Sequence, residues 1–470
     1  MLDHLRGMYI RSPHWIRSSV APILAAFSVG LRYGATYRQL RGDIKRSESD
    51  SSFVEKYRLD QIRSIARSCI NDNLYYRNLF ERVYGELPDV DKYTYEQYQK
   101  LPILTKEEVL KAPEKFLVQS LNRVDLATTS GSSGVPLKFY LDKNRSVKEW
   151  AFVHHMWERI GYSPRNRRVV LRGVKFADVD NKPWEYDPAL AELRLSPFHL
   201  TPKVMNKYLE LIDLYKIRYI WGYPSAISTL ANHVLRTNWK FERDIIGVFP
   251  ISESLFPHQR ELMLKAFCKA KVLMTYGLSE KSVIGSELPD EPDVYEFEPL
   301  YGIAELVDAN GKTITLPGQI GRIVATGFIS KSMPMLRYDT NDLAELVRPA
   351  TKQNCYRMRV RSIRSRWGQE FVVGKNGELI SIAAINIHSP VYSRIQAFQL
   401  FQEEPGKVNI RIIPVSGNSK QDILPFVREI QDKVGQSIMF SLELTQSLPL
   451  NDRGKRKYIE QRLNLDDYKV

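Results

Sequence analysis

The sequence predicts an α/β multidomain protein, in which a large N-terminal α/β domain with a β subdomain precedes a small α+β C-terminal lid. Strand-like and helical runs alternate between residues 168 and 275, which is typical of βαβ units and a mostly parallel sheet. Short strands with Gly or Pro turns follow Gly302, and a compact strand–strand–helix–strand pattern comes last. We therefore expect a helical extension at 1–52, the large domain at 53–363 and the lid at 364–470.

The composition is that of a folded protein with a basic surface. Of the 470 residues, 43% are apolar, and 68 Lys and Arg residues outnumber 54 Asp and Glu residues to give a net charge of +14. Such an excess attracts anions, which include nucleotides, acidic substrates, nucleic acid and anionic lipid. We expect no disulfide framework, no zinc site and a reducing cytoplasmic location, since paired spacing and a nearby histidine cluster are both absent for Cys69, Cys268 and Cys355.

The N-terminal extension has mixed helical signals and ends in a polar connector at 47–52. Its apolar stretch, Ala21–Leu31, is shorter than the ~20 residues that a membrane-spanning helix needs. It also lacks a small-residue cleavage site, so we expect neither a membrane span nor a signal peptide. Peripheral attachment to a membrane remains an alternative, because the segment is basic and aromatic at Trp15, Arg17, Arg32 and Arg38.

The first part of the large domain is predicted to be helical. Apolar residues recur at helical spacing between Phe53 and Val83, which indicates one or two amphipathic helices. Thr105 is the expected N-cap of a later helix, and Glu108 stands at the capping-box position. The alternating region is predicted to contain strands at Arg168–Leu171, Tyr219–Trp221, Ile245–Phe249 and Lys271–Thr275 and helices at Lys203–Tyr215, Ala226–Thr237 and Pro257–Phe267.

The remaining elements are short. We predict β-subdomain strands at Gly302–Val307, Gly321–Thr326 and Ala344–Val347, and lid elements at Ile395–Gln402, Val408–Ile413, Lys420–Val434 (the helix) and Ile438–Leu444. The alternating arginines of 357–366 are interpreted as a solvent face of the β subdomain. Nucleic-acid binding is not expected there, because only Tyr356 and Trp367 flank the run and it contains no recognised motif.

A loop rich in Gly and Ser is the first candidate binding element. Without Cβ bulk at Gly131 and Gly134, backbone N–H and hydroxyl donors can approach a polyphosphate. The loop is not a P-loop, because its Lys follows a Pro and no Ser or Thr comes after that Lys. A plain connecting loop is the alternative interpretation. The candidate phosphate-binding residues are Thr129, Ser130, Gly131, Ser132, Ser133, Gly134 and Lys138.

Two further motifs follow predicted parallel strands. Ser252 and Glu253 come after the strand Ile245–Phe249, and the segment 276–280 comes after Lys271–Thr275. Open α/β sheets bind ligands at the carboxyl ends of their strands. Tyr276 can stack on a purine, and Glu280 can hold Mg²⁺ while phosphates supply other oxygens.

Two charged residues complete the set of candidates. Asp342 stands after a tight turn, where its carboxylate can accept hydrogen bonds from both ribose hydroxyls. Lys455 lies on a Gly-containing loop near the last residue of the sequence. An ammonium group on a mobile lid can bridge a carboxylate and an α-phosphate as negative charge accumulates. Alternatively, Glu280 is a helix-cap carboxylate, Asp342 a turn former and Lys455 part of a solvated basic tail.

This order of motifs resembles that of the adenylate-forming superfamily of acyl-CoA ligases, luciferases and peptide-synthetase adenylation domains. Within it, the sequence is most similar to the phenylacetate-CoA ligase branch and its capsular-polysaccharide-biosynthesis relatives of the CapK type. The resemblance runs over nearly the whole chain. The segments that carry it are 75–77, 101–106, 221–225, 276–280 and 335–338, with the N-terminal pieces 12–13 and 32–34.

The resemblance implies an adenylate-forming fold that uses ATP, Mg²⁺ and a carboxylic acid, with CoA or a carrier thiol as acceptor. It makes 129–138 the pyrophosphate loop, Tyr276 the purine stacker within a nucleotide-binding turn that includes Gly277 and Ser279, and Asp342 the ribose ligand. It also makes Lys455 the lid lysine. The remaining implied roles are an adenine-side wall at Ser252 and Glu253, a Mg²⁺-side carboxylate at Glu280 and a hinge arginine at Arg366.

Two motifs depart from the family pattern. The ribose motif usually has Gly before its Asp, whereas Asn341 stands here, and Asn tolerates a positive φ better than most residues. The hinge motif usually reads Gly-Arg before Asp residues, but here Ser365 precedes Arg366 and Trp367 follows it. This altered hinge and the basic N-terminus support an alternative: a nucleotide-binding scaffold of a polysaccharide assembly system that has lost turnover.

Overall fold

The computed structural model describes residues 29–128, 137–174, 180–365, 371–381, 394–449 and 459–468, and the single residues 9, 12, 20, 176, 385 and 391. Its first helices are α1 (Val29–Arg46), α2 (Ser51–Asp72), α3 (Leu74–Tyr84), α4 (Tyr95–Gln99) and α5 (Lys106–Lys111). None of the helices in this described part has both the length and the hydropathy that crossing a bilayer requires.

Side-chain caps decide where these first helices begin. The predicted helical stretch 53–83 forms two helices because Asn73 is extended, and its side chain accepts a hydrogen bond from the Tyr76 N–H at 2.9 Å. The capping box of α5 is confirmed. The Thr105 N–H donates to Glu108 Oε2 at 2.9 Å, and the Glu108 N–H donates to Thr105 Oγ1 at 3.3 Å.

A hairpin of β1 (Val124–Thr128) and β2 (Lys138–Asp142) precedes α6 (Arg145–Glu158). The two strands are antiparallel, and Thr128 pairs with Lys138. The end of β2 is fixed to a distant segment, because Asp142 Oδ1 accepts hydrogen bonds from the N–H groups of Lys331 at 3.2 Å and Ser332 at 2.9 Å. The predicted phosphate loop therefore connects two strands that are anchored to the body of the large domain.

The parallel sheet lies at the centre of the large domain. Its order is β4-β5-β3-β6-β7-β8, and all neighbours are parallel except β4 with β5. Helices connect the last four of these strands in chain order, as the alternating pattern predicts. The strands are β3 (Arg168–Leu171), β4 (Trp184–Asp187), β5 (Glu192–Leu195), β6 (Tyr219–Gly222), β7 (Gly247–Pro250) and β8 (Lys271–Val272), and the helices are α7 (Pro202–Leu214), α8 (Pro224–Thr237) and α9 (Pro257–Ala266).

A second, antiparallel sheet forms the β subdomain. Its order is β12-β13-β14-β15-β11-β10-β9. The subdomain begins at Thr275, earlier than predicted, because the stretch predicted as one strand at Lys271–Thr275 is divided between β8 and β9 of two different sheets. The strands are β9 (Thr275–Gly277), β10 (Ile284–Leu288), β11 (Glu291–Phe297), β12 (Gly302–Val307), β13 (Ile320–Gly327), β14 (Tyr338–Arg348) and β15 (Arg359–Ser365).

The arginine run does not form the solvent face that the sequence suggested. Arg357 is 7% exposed, and its Nη1 donates to Glu298 Oε2 at 3.0 Å. Arg359 Nε donates to Glu296 Oε2 at 2.9 Å. That interpretation is therefore wrong for Arg357, although Arg361 is exposed. Because the buried carboxylates Glu296 and Glu298 neutralise Arg357 and Arg359, these two described arginines are not free to bind an external anion.

The C-terminal unit contains the predicted strand–strand–helix–strand order. Its main sheet has the order β20-β19-β18-β21, in which β21 is parallel to β18 and was not predicted. The predicted helix has the same bounds in the structure. The elements are β16 (Phe371–Val373), β17 (Leu379–Ser381), β18 (Ile395–Glu404), β19 (Lys407–Pro414), α10 (Lys420–Val434), β20 (Met439–Leu444) and β21 (Ile459–Gln461).

The two units pack together. One apolar core includes Leu209 and Ile227 from the large domain and Val372, Ile410 and Phe426 from the C-terminal unit. The Gln436 N–H also donates to Asp180 Oδ1 at 2.8 Å. The predicted α/β multidomain fold with a small C-terminal domain is confirmed. Its boundaries at 52/53 and 363/364 stay predictions, and β15 continues across the second.

Candidate functional site

The turn that follows β6 is closely packed. A Cβ on Gly222 would overlap the carbonyl oxygen of Leu171, and the Tyr223 N–H donates to that same oxygen at 3.0 Å. Trp221 is buried against Trp150, with ring centroids 5.3 Å apart, and the guanidinium of Arg172 lies 4.6 Å from its ring centroid. The side chain of Trp221 therefore packs in the core. Because α8 follows directly, the position of this segment also fixes where that helix begins.

Glu253 is a buried cap of α8. Its Oε2 accepts a hydrogen bond from the Ser225 N–H at 3.1 Å, in the first turn of that helix. A carboxylate at a helix N-terminus satisfies a backbone donor and interacts favourably with the helix dipole. Ser252 is instead exposed, with φ 69°. The two residues predicted to form one adenine-side wall thus point to different surroundings.

Tyr276 and Asp342 meet across the second sheet. The Tyr276 hydroxyl donates to Asp342 Oδ2 at 2.8 Å, and its ring lies 5.8 Å from that of Phe297. Burial raises the pKa of Tyr276, and the neighbouring Asp342 charge raises it further, so the phenol stays protonated and remains a donor. Tyr276 lies in the edge strand β9, whereas Asp342 lies in the interior strand β14, so neither residue follows a strand of the parallel sheet directly.

The turn before Asp342 takes the conformation that the sequence predicts. Asn341 has φ 64°, a left-handed value that Asn adopts more readily than most residues. The Asp342 N–H donates to Thr340 Oγ1 at 3.1 Å. The missing Gly of the family motif is therefore compatible with the turn that presents this carboxylate.

Glu280 ends the turn that follows β9, and its side chain contacts β14. It is half-buried, and its Oε1 accepts a hydrogen bond from the Tyr338 hydroxyl at 3.2 Å. Gly277 and Ser279 are exposed on this turn. The next residue, Lys281, has φ 62° and donates to Glu149 Oε1 at 2.7 Å, which ties the turn to α6. Sequence reasoning missed this contact, because no local pattern links residues so far apart.

The segment 335–338 is held by contacts that the motif comparison did not predict. The Leu104 N–H donates to the Arg337 carbonyl at 3.0 Å, and the Asp339 N–H donates to the Leu104 carbonyl at 2.9 Å. Arg337 is buried, and its Nε donates to Glu305 Oε2 at 3.0 Å. Two of the motifs that carry the family resemblance, 101–106 and 335–338, thus pack together and position Tyr338 beside Glu280.

Several predicted residues lie outside the described part of the chain: Thr129, Ser130, Gly131, Ser132, Ser133, Gly134, Arg366 and Lys455. Their neighbours are described. Lys138 is half-buried at the start of β2, and burial lowers the pKa of its ammonium group while Glu114 opposes this effect. Ser365, which precedes Arg366, pairs with Asp342 in the second sheet.

The carboxylates of this region fit a metal that is shared with a ligand. Among the described residues, no group of three or more His, Cys, Asp or Glu side chains could hold a metal ion alone. Mg²⁺ commonly takes one or two carboxylates and completes its shell with phosphate oxygens and water. Glu280, which has one oxygen bonded to Tyr338, offers such a single carboxylate.

The described site therefore consists of two hydroxyl–carboxylate pairs, Tyr276 with Asp342 and Tyr338 with Glu280. The two pairs share strand β14, which carries both Tyr338 and Asp342. An aromatic ring beside one carboxylate, with a second carboxylate nearby, can contact a base, a ribose diol and a metal-bound phosphate. The structure thus brings together residues from two of the predicted motifs.

Comparisons with known proteins agree with this fold. Residues 372–462 match the CapK C-terminal domain family. Protein CapK from Staphylococcus aureus is 22% identical over 380 residues, which cover 78% of this chain and 81% of that protein.

Solved structures of 2-hydroxyisobutyryl-CoA ligase are also similar. One, with 2-HIB-AMP and CoA in the thioesterification state, has a TM-score of 0.54 at 17% identity and covers 89% of this chain and 92% of its own. Another, with R3-HIB-AMP in the postadenylation state, has a TM-score of 0.53 at 16% identity and covers 89% and 90%. The fold is that of the adenylate-forming ligases. Within that fold class, the chain's sequence similarity is to CapK, and the resemblance that the motifs indicated is confirmed.

Proposed function

We propose that this protein activates a carboxylic acid with ATP, which gives an acyl-adenylate and pyrophosphate, and then transfers the acyl group to a thiol. CoA is the acceptor we favour, and a carrier-protein thiol is the other. The observation that carries this proposal is the pair of hydrogen bonds that join Tyr276 to Asp342 and Tyr338 to Glu280, through which side chains of β14 meet the segment 276–280. These residues come from two motifs that are separated in sequence but adjacent in space.

Each residue has a part in holding the nucleotide. The ring of Tyr276 stacks on the purine, and Asp342 accepts hydrogen bonds from the ribose hydroxyls. Glu280 is the metal-side carboxylate. Mg²⁺ bound there would offset the negative charge of the triphosphate. The Gly/Ser loop 129–138 supplies donors to the phosphates, and the strands that flank its Gly and Ser residues, β1 and β2, pair with each other.

Lys455 stabilises the transition state in this proposal. As the carboxylate attacks the α-phosphate, negative charge grows on the phosphate oxygens, and a positioned ammonium group lowers the energy of that arrangement. Support for both half-reactions comes from the similar solved structures, in which 2-hydroxyisobutyryl-CoA ligase is bound to acyl-AMP compounds and, in one of them, CoA.

The biological setting rests on the resemblance to capsule-associated relatives. We propose that the reaction takes place in the cytoplasm, peripheral to membrane machinery for exopolysaccharide or capsule biosynthesis. The acid pocket is proposed at 221–226 and the loop before Tyr276. Since Trp221 and Tyr223 are buried in the core, they would form the floor of that pocket.

The direct test is carboxylate-dependent pyrophosphate exchange in Lys455→Ala. We expect the rate to fall by at least about 10²-fold, the scale of losing one preorganised donor. Lys457→Ala is the matched control, because it removes the same charge two residues away and should leave the rate near that of the wild type. Equal rates in Lys455→Ala and the wild type would remove this role from Lys455.

A second candidate is a nucleotide-binding scaffold without turnover, which the altered hinge at Ser365-Arg366-Trp367 favours. A screen of pyrophosphate release over carboxylic acids, with and without CoA, separates the two. Release with any acid supports the enzyme. ATP binding without release over a broad set of acids supports the scaffold.

A further inference from the structure

A cavity of about 520 Å³ lies between the large domain and the C-terminal unit. Helices α8 and α9 form one wall, and the β16–β17 hairpin with Tyr468 forms the other. Its volume lies within the usual range for small-molecule sites. One end reaches Ser225 in the first turn of α8, and the other reaches Arg236 in its last turn. The cavity therefore runs along the helix, and only its Ser225 end adjoins the segment 221–226 where the acid pocket is proposed.

The face of α8 that lines this cavity is polar but almost uncharged. Its members recur three and four residues apart, which places them on one side of the helix, while Ile227, Leu230 and Val234 face the core. They are Ser225, Ser228, Thr229, Asn232, His233 and Arg236.

Helix α7 provides the comparison, because exposed positions on it include the charged residues Lys203, Lys207 and Glu210. Charged side chains are what a helix usually presents to solvent. The α8 face carries one Arg and otherwise neutral hydrogen-bonding groups. It therefore differs from a typical solvated face.

The cavity offers both donors and acceptors. The hydroxyls of Ser228 and Thr229 donate to the carbonyls of Pro224 at 2.8 Å and Ser225 at 3.0 Å, which leaves their oxygen lone pairs as acceptors. The side-chain amide of Asn232 makes no hydrogen bond to any residue that the structure describes, and the same holds for Asn376 on the opposite wall. The side-chain amides of Asn232 and Asn376 can therefore form hydrogen bonds with a ligand from opposite walls of the cavity.

The charges of the lining disfavour a polyanion. Burial lowers the pKa of His233, and Arg236 lowers it further, so the ring is neutral at neutral pH. Its Nε2–H donates to Asn206 Oδ1 at 2.7 Å. Glu378 accepts a hydrogen bond from Ser437 Oγ at 2.5 Å and brings an acidic group to the opposite wall. The described lining thus contains one Arg and one Glu, whose charges offset each other. A ligand with several phosphate groups would find no excess of positive charge there.

Aromatic side chains complete the site. The rings of Phe256 and His258 are stacked, with centroids 5.7 Å apart and planes 13° from parallel, and Phe371 and Tyr468 line the C-terminal side. Flat apolar faces beside neutral donors and acceptors suit a ligand with apolar C–H faces and many hydroxyls. A sugar ring has this chemistry.

We propose that this cavity binds an uncharged, hydroxyl-rich small molecule of one or two sugar rings. The amides of Asn232 and Asn376 and the α8 hydroxyls contact its hydroxyl groups. Because both units line the cavity, the bound ligand stabilises their docked arrangement by mass action. The site needs no nucleotide, and Asn232 and Asn376 lie outside the acid pocket proposed at 221–226, so the proposal can be tested separately from the function proposed above.

Isothermal titration of the full chain without ATP tests the proposal. The probes are neutral monosaccharides and disaccharides, with and without N-acetyl groups, and CoA serves as a polyanionic probe. We expect saturable binding of at least one neutral sugar. Asn232→Ala and Asn376→Ala should each weaken it by about 10-fold, the scale of one lost hydrogen bond with its partner left unpaired. Asn310→Ala, in an exposed turn of the β subdomain, is the matched control and should bind as the wild type does.

Thermal unfolding of each variant verifies that it is folded, and a sugar that binds should raise the wild-type melting temperature. The proposal is overturned if no neutral sugar in the panel binds, or if binding persists unchanged in both cavity variants. It is also overturned if CoA alone binds and Asn232→Ala abolishes that binding. Each result is independent of pyrophosphate exchange, so it leaves the proposed ligase activity untouched.

Discussion

Two parts of the candidate site carry similar residues but use them differently. After β7, the carboxylate of Glu253 turns inward and caps α8 through the Ser225 N–H. In strand β14 of the second sheet, the carboxylate of Asp342 accepts a hydrogen bond from the Tyr276 hydroxyl and follows the left-handed residue Asn341. Both residues are buried, Glu253 at 6% and Asp342 at 8% exposure. In the proposed function we assign Asp342, together with Glu280, to the ligand-facing part of the site, and the partner of Glu253 favours a role in the fold. A carboxylate near a strand end is thus not by itself a binding group, because its partner decides its role.

The largest effect is expected at Glu280, which belongs to the ligand-facing part. Glu280→Gln keeps the shape of the side chain but removes the charge that the metal requires. We expect the rate of pyrophosphate exchange to fall by about 10²-fold or more, with a higher Mg²⁺ concentration needed for half-maximal rate. Glu261→Gln on the exposed face of α9 is the control. If Glu280→Gln keeps the wild-type rate and Mg²⁺ dependence, Glu280 has a structural role and is not the metal-side carboxylate.

Asp342→Asn should have the next largest effect. The substitution leaves one oxygen to accept from Tyr276 but removes the charge-assisted bonds to the ribose hydroxyls, which are worth about 1.5–3 kcal/mol. The KM for ATP should rise by roughly 10-fold or more in steady-state exchange assays. Glu345→Gln on the same strand is the control, since its partner is the exposed Arg361. An unchanged KM for ATP would mean that Asp342 does not contact the nucleotide and has a structural role.

Glu253→Ala tests whether the carboxylate after β7 acts as a helix cap. Losing a helix cap costs about 1 kcal/mol, so the free energy of unfolding in urea should fall by that amount. Glu253→Gln keeps an acceptor oxygen for the Ser225 N–H and should recover much of the loss. If Glu253→Ala instead raises the KM for ATP as much as Asp342→Asn does without a loss of stability, Glu253 is a nucleotide ligand.

The elements set by local pattern could be predicted from the sequence. The strands Arg168–Leu171 and Gly302–Val307 and the helix Lys420–Val434 have the predicted bounds, because alternation, helical spacing and capping residues act within a few positions. The sheet to which Tyr276 belongs could not be predicted. Its partner strand β10 lies later in the chain, and pairing between strands depends on packing that a single pattern does not encode.

The same distinction applies to the candidate site. The conformation of Asn341 was predictable, since it depends on the residue's own backbone preference. The burial of Glu253 and of Arg357 was not predictable, because each depends on a partner from a distant element. Glu253 accepts a hydrogen bond from Ser225, and Arg357 donates one to Glu298. Contacts over long sequence distances thus decide which protein partner each of these charged residues has.

The smallest effect is expected for Tyr276→Phe, which sharpens the comparison within the ligand-facing part. The variant keeps the ring for stacking but removes the donor to Asp342, and the free energy of unfolding should fall by about 1 kcal/mol. The KM for ATP should change by less than roughly 3-fold, since ribose hydroxyls can replace the lost donor at the carboxylate. Steady-state exchange and urea unfolding measure the two quantities. A rise in KM equal to that of Asp342→Asn would show that the phenol and the carboxylate act as one unit, and that Asp342 contacts the ribose only while Tyr276 holds it.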